Sequence, residues 1–92
     1  MKYIVENAVR DAAQIAGIEP YDPNIKDNYV EDYIEADSED EAIELAIDYL
    51  IEDGCCFENE RAERTEHGII FYRDDEPVLE CFAFRATVYN GQ

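Results

Sequence analysis

Cys55, Cys56, His67 and Cys81 are the side chains of this chain best suited to hold a soft metal or to act as nucleophiles. Zinc sites are built from ligand pairs a few residues apart, and these four do not form such pairs. Adjacent Cys55 and Cys56 point to opposite faces of an extended segment and would not share a site there. His67, beside Gly68, reads as a turn residue, and Cys81 as small apolar filler in a strand. No metal is expected. Three cysteines and no export signal point to reduced thiols. Calcium would require a D-x-D-x-D-G loop closed by a glutamate, and the chain has none. There is one histidine and no G-x-S-x-G, Walker A or G-x-G-x-x-G motif. A carboxylate pair could act as acid and base. With 24 Asp and Glu side chains, however, some pair meets that spacing by chance. The expectation is a protein that is not an enzyme and uses no cofactor.

What so many carboxylates can do is bind. The 24 acidic residues face 7 basic ones, for a net charge of −17. Such density opposes compaction, so a sufficient core must outweigh it. The distribution is uneven. Residues 1–18 are neutral overall, with Lys2 and Arg10 against Glu6 and Asp11. Residues 19–60 hold 16 acids and one base, Lys26, for a net of −15. Residues 61–92 hold 6 acids and 4 arginines, for a net of −2. A general solubility device would spread its acids over the whole chain.

Within the acidic segment, Glu41, Glu44, Asp48 and Glu52 fall on one side of a helix, one turn apart. That spacing has the scale of phosphates along a nucleic-acid strand. No Lys or Arg interrupts the row, as it would on an ordinary solvated helix face. Glu31, Glu35, Asp37, Glu39 and Asp40 add to the same field. Tyr29 and Tyr33 share a strand face with Glu31 and Glu35, a combination suited to a protein interface. The bland alternatives are a solvated helix face and a tyrosine face packed inside the fold. The partner-binding set is therefore Tyr29, Glu31, Tyr33, Glu35, Asp37, Asp40, Glu41, Glu44, Asp48 and Glu52.

In size and charge alone the chain resembles phage-encoded inhibitors that mimic nucleic acid, such as anti-restriction and anti-CRISPR proteins. The resemblance implies an acidic surface seated in the Lys/Arg-lined groove of a nuclease or effector complex. Other readings stay open. These are an immunity protein against a basic nuclease toxin, a domain adapted to high salt, and a regulatory subunit that docks through its acidic face. Nucleic acid and anionic membranes would repel the chain, so neither is expected as a direct partner. Met1–Ala16 carries a charge or amide every few residues, unlike a signal peptide, and a cytoplasmic location is expected.

One domain of 92 residues must position these groups. Met1–Ala16 has apolar residues at helical spacing (Ile4, Val5, Ala8, Val9, Ala12, Ile15, Ala16), which predicts a helix stopped by Gly17. Tyr-Ile-Val also leaves a strand open at Lys2–Val5. Gly17–Asn28, with Pro20 and Pro23, reads as a loop, and Tyr29–Ala36 as a strand with Val30, Ile34 and Ala36 on one face. Ser38 and Glu41 form the S-x-x-E signal of a helix running from about Glu39 to Glu52. Its buried stripe would be Ala42, Ile43, Ala46, Ile47 and Leu50. Cys55–Thr65 fits either strand or helix. Gly68–Arg73 and Val78–Tyr89 read as an antiparallel hairpin around a turn at Asp74–Pro77, with Val78, Phe82, Phe84, Ala86 and Val88 on one face. The expected fold is α+β: three or four mostly antiparallel strands against two helices.

Overall fold

The computed structural model describes residues 1–22, 26–28, 33–55, 57–66 and 68–90. Its elements run β1 (Lys2–Asp11), α1 (Ala12–Ile15), β2 (Lys26–Asn28), β3 (Ile34–Glu35), α2 (Glu39–Gly54), β4 (Glu60–Arg64), β5 (Gly68–Arg73) and β6 (Glu76–Val88). The strands form one sheet in the order β2-β1-β6-β5-β4, and short β3 shares with β2 the outer edge of β1. Every pairing is antiparallel. The α+β class is as expected, but the sheet is larger than the expected three or four strands.

The N-terminus differs most from the helix expected over Met1–Ala16. It is a ten-residue strand followed by a single helical turn. Tyr3, Val5 and Asn7 are buried in alternation, the period of a strand. Apolar residues are frequent enough here to satisfy a helical period as well. The aromatic and β-branched run Tyr3–Val5 suits extended chain, and the pairing with β6 settles it. The helix starts only where a true cap occurs. Asp11 accepts a bond from the Gln14 amide, and the Gln14 side chain accepts one from the Asp11 amide. Gly17, at φ 78°, ends it with the double closure of a Schellman motif: Gly17 N–H donates to the Gln14 carbonyl and Ile18 N–H to that of Ala13. Two helices are present, as expected, but no residue of α1 is buried and α2 supplies the cover of the core.

Three further segments sharpen the expectations. Lys26–Asn28, read as loop, pairs with Glu6–Ala8 of β1. The ambiguous stretch Cys55–Thr65 contains strand β4, paired with β5 over Glu60–Arg64. Of the strand expected over Tyr29–Ala36, Ile34–Glu35 is a strand. Residues 29–32 lie outside the described residues.

Helix α2 lies across one sheet face. Ala42, Ala46 and Ile47 are buried, with Ile43 and Leu50 half-buried, matching the expected stripe. The two alanines, with no accessible surface, let the helix sit close on Tyr3, Val5, Ile34 and Ala86. A second cluster, Ile47, Ile69, Phe71 and Cys81, continues the core beneath the helix's later turns. Cys81 is core filler, as read from the sequence.

The hairpin of β5 and β6 is present with a tighter turn than expected. Asp74 and Asp75 (φ 52° and 64°) close it as a two-residue loop, and Glu76 and Pro77 already belong to β6. Pro77 is tolerated because the β1 ladder along β6 ends at Leu79. The single apolar face expected for β6 is broken by a bulge. Glu6 faces Arg85 and Ala8 faces Phe82, so Ala83 and Phe84 together oppose Asn7. Ala83 takes φ 53°. The extra residue turns Phe82 toward Tyr21 and Arg10, with ring centroids 5.4 Å from Tyr21, while Phe84 packs against the core. Phe82 and Phe84 therefore lie on opposite faces.

Candidate partner-binding face

The acidic row starts from a well-made helix end. Ser38 Oγ accepts the Glu41 amide at 3.1 Å, one of the otherwise orphaned donors of the first turn. Glu39, Asp40 and Glu41 follow, where negative charge meets the positive end of the helix dipole. The row then runs along the solvent side of α2. Glu41, Glu44, Asp48 and Glu52 are all exposed, as are Asp37 and Asp40 at its start. Helix α2 carries seven acids and no base. Glu52 and Asp53 lie in its last turn, against the negative end of the dipole, where charge of this sign costs stability.

Strand β4 contributes a residue that helix spacing alone does not reveal. Arg64 Nη1 lies 2.7 Å from Glu44 and Nη2 lies 2.7 Å from Asp48, so one guanidinium clamps the two middle members of the row. Its pKa is raised above the ordinary value, chiefly by the hydrogen bond to Glu44. The clamp leaves the ends of the row, Glu41 and Glu52, outside the Arg64 pairs. It also fixes the spacing of Glu44 and Asp48, which in an isolated helix would swing independently. The sequence signal was the four arginines after residue 60. Nothing in the sequence showed that one of them would cross to α2, because the contact spans 16 and 20 residues.

The tyrosine part of the expected set lies elsewhere. Ile34 and Ala36 are buried beneath α2, so alternation turns Tyr33 and Glu35 to the sheet face opposite the helix. There Tyr33 stacks on Tyr89, centroids 5.5 Å apart and planes 17° off parallel, with Lys2 Nζ 4.4 Å above its ring. Tyr33 and Glu35 therefore do not extend the helical row, and the expected ten-residue surface divides in two. Tyr29 and Glu31 lie outside the described residues.

Among the described residues, no group of three or more His, Cys, Asp or Glu side chains could hold a metal ion. No described helix is long and apolar enough to cross a membrane. Compared with protein-family models, curated proteins and solved structures, the chain matches none.

Proposed function

We propose that this protein binds a basic, nucleic-acid-binding protein, a nuclease or effector complex, through α2 and inhibits it by filling the groove meant for phosphates. The observation that carries this reading is that the acids of α2, with no base among them on the helix, continue to its C-terminal turn, beyond the pair that Arg64 of β4 covers. Acids placed for helix stability would stop after the first turn, where Glu39, Asp40 and Glu41 already suffice. Acids placed for hydration in high salt would not leave residues 61–92 at a net of only −2. An exposed row one turn apart on a rigid element, with Glu41 and Glu52 outside the Arg64 pairs, is instead suited to replace phosphates. Association with such a partner is fast, steered and weakened by salt.

The test is charge reversal at the ends of the row. Against a partner captured from a nuclease-treated lysate, Glu41→Lys with Glu52→Lys slows association by about tenfold or more at low salt. The double variant Asp74→Lys with Glu76→Lys, at the β5–β6 turn, makes the same change in net charge and leaves association within about twofold of the parent. Equal slowing by both would assign the attraction to net charge alone and end the claim for α2.

A further inference from the structure

Strand β6 is longer than the neighbours that pair with it. Its ladder with β5 ends where Gly68 faces Phe82, yet β6 continues to Val88. Over Ala83–Val88, among the described residues, it pairs with β1 alone. The bond from the Tyr89 amide to the Lys2 carbonyl, 2.9 Å, sets the phase of that ladder. Arg85, Thr87 and Tyr89 direct their main-chain groups toward β1, so Phe84, Ala86 and Val88 direct theirs to the side that β5 has left.

Strand β5 cannot continue into this space. Thr65 N–H donates to the Gly68 carbonyl and Gly68 N–H to Thr65 Oγ1, which closes the turn into β4. Gly68 itself lies so close to β6 that a Cβ would collide with the Cys81 carbonyl oxygen. Beyond it opens a notch of about 460 Å³, with Ile43 and Ile47 of α2 and Phe84 of β6 on its walls and Glu44, Arg64 and Glu66 among its lining residues. Phe84 is half-buried and Val88 42% exposed, so both ends of this half-edge reach water, with buried Ala86 between them.

The β4 edge, on the same side of β6 as this half-edge, differs. Strand β4 presents Glu60, Arg61, Glu63 and Arg64 within five residues, the charged pattern by which edge strands avoid pairing. The open half of β6 has one charge, Arg85. The β4 edge is guarded, and among the described residues the half-edge of β6 is left able to pair.

We infer that this half-edge receives an extended, basic segment of the protein partner as an added strand. The inference rests on the proposed function only for the identity of that partner. Main-chain bonds to Phe84, Ala86 and Val88 supply part of the affinity, as in strand addition generally. Apolar side chains of the segment turned toward α2 meet Ile43, Ile47 and Phe84, the intervening Lys or Arg side chains point to the opposite, solvent side of the sheet, and a Lys or Arg at the end beside the β4–β5 turn reaches Glu66. Roughly five or six residues, an ordinary strand length, would fill the half-edge. A second copy of this chain is the poorer occupant, because it would bring −17 against −17.

A synthetic Lys-Val-Lys-Val-Lys-Val peptide tests this, beside the same peptide N-methylated at alternate amides so that charge is kept and donors are lost. The expected result is binding of the first, with slowed hydrogen exchange at the Phe84 and Val88 amides. The methylated peptide should bind about tenfold more weakly, the loss of one or two net hydrogen bonds. Val88→Pro, which removes an outward N–H and no bond to β1, should weaken the first peptide similarly. Equal binding of both peptides overturns the added strand while leaving an acidic docking face intact. Binding of neither at low salt overturns it too, as does a peptide-free dimer that protects the same amides. Competition between the protein and nucleic acid for the captured partner is read separately, so the two ideas fail independently.

Discussion

Arg64 and Asp48 meet at 2.7 Å across the gap between β4 and α2, and the same guanidinium reaches Glu44 at 2.7 Å. A base from a nearly neutral part of the chain thus sits in the middle of the acidic row. It ties the sheet's edge strand to the helix and lowers the charge of the row's centre.

Removing that base separates its two effects. Arg64→Ala should change stability by less than about 1 kcal/mol, because all three side chains are substantially exposed and such pairs contribute little. Association with the basic partner should become faster, since two carboxylates are uncovered. Denaturation midpoints and association rates measured on one preparation check both halves. Slower association would mean that the clamp's geometry matters more than the charge it masks.

The helix start offers a cleaner stability test. Ser38→Ala deletes the acceptor of the Glu41 amide and should cost about 1 kcal/mol in chemical denaturation. An unchanged midpoint would show that another group caps α2.

That cap also marks where the sequence was most legible. Ser38 and Glu41 form a local signal, and local signals located α2, its buried stripe and the β5–β6 hairpin correctly. The failures share a cause. Residues 1–16 satisfy two periods at once, and the choice between them depends on β6, about seventy positions away, which pairs with β1 from Asp11 to Tyr3. The faces of β6 after Phe82 depend on a bulge that no residue type announces, since Ala83 is an unusual choice for φ 53°. At the candidate site the row itself was readable from helical spacing. The Arg64 clamp and the turning of Tyr33 and Glu35 to the other sheet face were not, because both follow from tertiary packing.

The β5–β6 turn is strained in a correctable way. Asp74 and Asp75 both hold positive φ, which a two-residue hairpin loop requires and glycine adopts without cost. Asp75→Gly should stabilise the protein by no more than about 0.5 kcal/mol, because the relief of positive φ is largely offset by the extra unfolded-state entropy of glycine. Its pair with Arg61, 89% exposed on the aspartate side, is a small loss. A lower thermal midpoint would indicate that Asp75 does more than occupy the turn.

Gly68 should tolerate no side chain. With a Cβ that would collide with the Cys81 carbonyl oxygen, Gly68→Ala must push β5 from β6 at the last rung of their ladder. A loss of about 2 kcal/mol or more is expected, measured by denaturant titration. A neutral result would mean that the two strands separate there at little cost.

The central claim is that the acidic face of α2 and nucleic acid occupy one groove of the same partner. Its most direct test is a competition titration, in which a labelled oligonucleotide bound to the captured partner is challenged with increasing amounts of this protein. The account predicts complete displacement, with an apparent oligonucleotide Kd that rises in proportion to the protein added. A ternary complex in which the oligonucleotide stays bound at saturating protein would contradict it.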